Sequence, residues 1–119
     1  MPLTPQQILG RLVVILPEFL EHWESRHSSF RDNDGSFTQC GVLAECSHFV
    51  RDHYDQLSSL QRHQLADFVL ECMRSTDTDL RDAAATCFLE NLSFERFSND
   101  FETYLAGNAL DFYRQFQQP

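Results

Sequence analysis

Lysine is absent from this chain, and all nine of its basic side chains are arginine. That excludes a Schiff-base lysine and the phosphate-gripping lysine of a P-loop. Glycine is scarce: four residues cannot supply a glycine-rich phosphate loop beyond turns and caps. No apolar run approaches the ~20 residues of a membrane-spanning helix. The opening MPLTPQQILGRLVVILPEFLEHW has no basic start, and its apolar residues are interrupted by polar ones, so no export signal is expected. Five histidines include no HExxH, no serine lies in a G-x-S-x-G elbow, and four cysteines include no CxxC. No segment alternates polar and apolar residues long enough for a strand.

What remains is acid and aromatic. The net charge is −9, which repels nucleic acid and anionic membranes and would steer a basic partner inward. Solubility alone is the plainer reading of that charge. Eleven phenylalanines at helical spacings supply a core large enough for one domain of 119 residues without metals or disulfides. Cys40, Cys46, Cys72 and Cys87 each fall in or near an apolar stripe. They are expected to be free core thiols in a reducing cytoplasm.

Periodicity and caps place the helices. Thr4 and Pro5 open the first, whose face is Ile8, Leu9, Leu12, Val13, Leu16, Phe19, Leu20 and Trp23. Pro17 predicts a kink or break, with Glu18, Glu21, His22 and Glu24 on the polar side. Ser36 and Gln39 read as a capping box for a helix over 37–56, and Ser58 with Gln61 as one for 59–74. Asp77, Thr78, Asp79 and Asp82 cap the next, which buries Leu80, Ala84, Cys87, Phe88 and Leu92. Ser98 caps a short helix that Gly107 ends as a C′ glycine, and Asn108 begins the last. The prediction is one all-α domain over 1–119, of about five to seven antiparallel helices, as a compact bundle or a short HEAT-like array.

Two stretches suggest metal chemistry. In RDNDGSFTQCG, setting Gly35 at position 6 of an EF-hand puts Asp34 at 5 and Asp32 at 3, but Phe30 at 1 and Gly41 at 12. Both end ligands are missing, so DNDG reads as a turn. Glu24–His27 and Glu45–His48 are Glu-x-x-His pairs which, with Glu71 and Glu90, could be nominated as a di-iron set. Their order along the chain is wrong for that, and Glu45, His48 and Asp52 read as a solvated polar face. No metal or cofactor is therefore expected.

Residues 65–92 are similar to one HEAT-like hairpin, through the Asp-rich turn, Leu80–Arg81 and the alanine cluster. CGVLAECSHFVRDHY, FLENL and ALDFYRQF, spanning most of residues 37–116, resemble a family of small acidic bacterial helical proteins regarded as candidate toxin-immunity proteins. The resemblance implies a non-enzymatic protein that occludes the active site of a basic toxin domain in the cytoplasm. The expected contacts are Asp32, Asp34, Glu45, Asp52 and Asp55, with Glu18 and Glu21 behind them. The rival readings are a di-metal carboxylate–histidine enzyme and a helical adaptor.

Overall fold

The computed structural model describes residues 3–25 and 36–116. Helix α1 (Pro5–Ile15) starts at a full capping box: Thr4 Oγ1 accepts from Gln7 N at 3.1 Å, and Gln7 Oε1 accepts from Thr4 N at 2.9 Å. Pro17 breaks the helix outright, and α2 (Phe19–Ser25) follows after a turn. The two bury Ile8, Leu12, Leu16, Phe19 and Trp23 as expected, but Leu20 is 41% exposed.

Helix α3 (Gln39–His53) is capped by Thr38, not Ser36: Thr38 Oγ1 accepts from Gly41 N at 2.9 Å. The expected helix over 37–56 ends early, in a 3₁₀ turn at Tyr54–Gln56. Residues 41–47 of α3 are all buried, as are Phe49 and Val50. A helix covered on nearly every side sits at the centre of its domain. Helix α4 (Ser59–Met73) keeps the predicted box between Ser58 and Gln61. Leu60, in its first turn, nevertheless points outward and is 65% exposed.

Residues 78–93 form one continuous rod of three parts: α5 (Thr78–Asp82), a π-helical segment (Ala83–Leu89) and α6 (Glu90–Ser93). Two side chains take carbonyls that an α-helix would give to its own amides. Thr86 Oγ1 donates to Asp82 O at 2.7 Å, and Asn91 Nδ2 donates to Cys87 O at 2.8 Å. The Glu90 amide meanwhile reaches Ala85 O, five residues back.

Helices α7 (Ser98–Glu102) and α8 (Gly107–Arg114) close the chain. Gly107 does not end α7. It opens α8 at φ +56°, close under Leu70 of α4 and Arg74 just after it. Asn108 Nδ2 then donates to Met73 O at 2.9 Å, satisfying a carbonyl at the C-terminus of α4.

The described residues contain no β-strand, and the architecture is all-α. α3 packs chiefly on the π-helical segment and also against α1 and α2; α4 packs against α1, α5 and α8. The radius of gyration, 13.4 Å, matches the value of about 13.5 Å for one domain of this length. Polar braces tie the periphery. Arg11 chelates Glu71 at 2.7 and 3.0 Å and lies over the Phe68 ring. Tyr54 stacks on Phe97 with ring centroids 4.0 Å apart, carries Arg62 on its ring and donates its hydroxyl to Asp100.

One expectation fails outright. Cys40 and Cys87 are joined in a disulfide, with Cα atoms 5.5 Å apart. Cys40 shares the helical spacing of Leu43 and Cys46, but it lies in the first turn of α3, where the side chain passes the edge of the core and is exposed. Cys46 and Cys72 are the buried free thiols that the pattern predicted.

Candidate functional site

Between α2 and α3 runs an open groove of about 360 Å³, lined by Glu18, Glu21, His22, Ser25, Phe49 and His53. Its floor is aromatic and rigid. Phe49 packs edge-on against Phe19 at 5.6 Å and His22 at 5.4 Å, and lies 4.5 Å from the His53 ring. Glu18 stands in the turn after Pro17 and Glu21 in the first turn of α2; both are exposed.

Beneath the groove lies Glu45, only 2% exposed. His22 Nε2 is 2.6 Å from one of its oxygens, and His48 Nδ1 is 3.7 Å from the other. The expectation that Glu45 belongs to a solvated face is therefore overturned. A buried carboxylate must be paired, and this one anchors α2 to α3. The signal was in the sequence: GVLAECS is apolar around all faces, so α3 has no wide polar side for Glu45 to occupy.

The other expected contacts divide. Asp52 is exposed on α3 and paired with Arg51 at 3.0 Å. That hydrogen bond holds its carboxyl below the usual range, and nearby His53 and His22 add to the effect. Asp55, in the 3₁₀ turn, pairs instead with Arg96 at 3.1 Å. Asp32, Asp34 and His27, with the whole DNDG turn, lie outside the described residues.

The described members of the nominated di-iron set, Glu24, Glu45, His48, Glu71 and Glu90, are not gathered at one site. Glu71 forms its bidentate pair with Arg11 on α1, and this lowers the Glu71 pKa while raising that of Arg11. Glu90 opens α6, and Glu24 is exposed at the end of α2. Among the described residues no group of three or more histidine, cysteine or acidic side chains is arranged to hold a metal ion. No helix among them is long and apolar enough to cross a membrane.

A family profile described as a domain of unknown function, DUF7674, matches residues 9–118, nearly the whole chain. The chain belongs to the DUF7674 family. Comparison with curated proteins and with solved structures gives no match. Family membership covers the helices that build the groove, and for DUF7674 it carries no assigned activity.

Proposed function

We propose that this DUF7674 protein is a non-enzymatic binding module of the immunity type. It covers a basic surface of a partner protein, a toxin domain, and blocks its active site. The observation that carries this reading is the pair Glu18 and Glu21. Both carboxylates are exposed beside a preformed groove, and neither has an ion-pair partner among the described residues. An arginine or lysine entering the groove meets two acids at its rim and an aromatic floor below. The net charge of −9 speeds the encounter with a basic surface. Asp52 and Asp55 contribute less, because Arg51 and Arg96 already neutralise them. Enzymes that act on polyanions in the cytoplasm, nucleases among them, carry basic clefts of the required sign.

The test is co-expression with the polypeptide encoded by the neighbouring gene. The expected result is a stable complex and protection of growth. Reversing Glu18 and Glu21 to lysine should weaken both and slow association more at low salt than at high salt. Reversing Asp55 should do less. Absence of a complex, or full association by the Glu18→Lys/Glu21→Lys variant, would end this reading.

A further inference from the structure

We propose that the Cys40–Cys87 disulfide is a thiol-exchange site that admits neutral and cationic thiols and repels anionic ones. This inference stands apart from the groove between α2 and α3 and from any protein partner. Cys40 is exposed and Cys87 half-buried, and both line a second open groove of about 420 Å³. Asp79 and Asp82 of α5 line the same groove, exposed and without ion-pair partners among the described residues. Internal exchange has no attacking group, since Cys46 and Cys72 are buried in the core. Exchange therefore starts from an external thiol, which must approach past two carboxylates.

The chemistry balances with a dithiol reductant. One of its thiolates attacks Cys40 Sγ; the Cys40–Cys87 bond breaks, and its electron pair leaves on Cys87 Sγ, which takes up a proton beside Thr86 Oγ1, 3.6 Å away. The second thiolate of the reductant then displaces Cys40 Sγ, which is protonated in turn. The dithiol departs as its own disulfide, oxidised by two electrons, and the protein has gained two electrons and two protons. The first turn of α3 is released, while the buried contacts of Leu43, Val50, Ala84 and Phe88 still hold α3 against the rod.

The experiment follows the first step, opening of the Cys40–Cys87 bond in the native, air-oxidised protein, by cysteamine, dithiothreitol and glutathione, with rates corrected for the thiolate fraction. Each monothiol is left as a mixed disulfide on Cys40, which a second molecule of it releases as the symmetrical disulfide. At low ionic strength cysteamine should outpace glutathione by about 3- to 10-fold, the size expected for two unit charges acting through water over a few ångströms. The ratio should shrink toward one at high salt and in the Asp79→Asn/Asp82→Asn variant, with dithiothreitol between the other two. Three results would overturn the proposal. They are equal corrected rates at low salt, a ratio untouched by the double substitution, and a reduction rate that rises with urea in step with global unfolding. Absence of the cross-link from the mass of the air-oxidised protein would also overturn it.

Discussion

His22 on α2 and Glu45 on α3 meet at 2.6 Å, with 14% and 2% of their side chains exposed. A contact so well shielded ties α2 directly to α3. Replacing Glu45 by alanine should cost about 2–4 kcal/mol, because a buried imidazole loses its partner. A double-mutant cycle with His22→Ala, read from urea unfolding, should give a coupling of about 1 kcal/mol or more. A coupling near zero would show that the two side chains are neighbours without being partners.

The cross-link between α3 and the rod closes a long loop, since Cys40 and Cys87 are 47 residues apart in sequence. Constraining the unfolded chain to that extent is worth about 2–4 kcal/mol. The Cys40→Ser/Cys87→Ser variant should lose that much stability relative to the oxidised protein, yet match the reduced wild type within about 0.5 kcal/mol. A variant as stable as the oxidised protein would mean that the bond adds nothing to the fold.

Gly107 occupies the left-handed region at φ +56°, and a Cβ there would stand 3.2 Å from Leu70 Cδ1. Gly107→Ala should destabilise the protein by about 1–2 kcal/mol. Gly10, which has open space around it, provides the control. Gly10→Ala, inside α1, should stabilise by about 0.5–1 kcal/mol, seen as opposite shifts in the urea midpoints of the two variants.

Alkaline pH should unfold this protein earlier than its charge alone would. Burial pushes the Cys72 thiol up to about 12 and raises Cys46 further. Burial also raises Tyr113 and Tyr54, the latter with the help of its hydrogen bond to Asp100. All four are neutral when protonated, and their folded pKa values lie above their unfolded ones. Their stabilisation is therefore complete below the unfolded values, about 8.5 for cysteine and 10 for tyrosine, and is lost as pH rises beyond them. Each group that remains protonated only in the native state steepens the decline by about 1.4 kcal/mol per pH unit. Urea midpoints measured across this range should fall, and Tyr113→Phe should flatten the fall. A flat profile above the tyrosine value would contradict the burial.

Local chemistry was the legible part of this chain. Thr4, Ser58 and Asp77 cap where they were expected to, because a cap is decided within three or four residues. Two caps were misread: Thr38 lies closer to α3 than Ser36 and offers the same hydroxyl, and Ser98 is the first residue of α7, whose N-cap Phe97 makes no side-chain cap bond. Glu18, Glu21 and Asp52 are exposed as expected, because each stands off the apolar stripe of its segment. What escaped the sequence depends on contacts between distant segments. Glu45 read as polar surface until α2 was laid across it, and Asp55 read as a free acid until α6 ended near enough for Arg96 to reach it. The cysteines show the same divide. Spacing put all four on apolar stripes, but only the packing of α3 on the π-helical segment brings Cys40 and Cys87 within bonding range.

The wide winding at Ala83–Leu89 bears on how relatives of this chain should be aligned. A π turn holds one residue more than the α turn it replaces, so removing a residue there lets the rod relax into ordinary winding. The part beyond the cut would nearly keep both its facing and its length, whereas the same cut in an α-helical stretch would rotate it by about 100°. Single-residue gaps within DUF7674 should therefore gather in this stretch and mark a lost bulge, with the facing of the rod preserved. A deletion scan along residues 78–93 should find its mildest position inside the same seven residues.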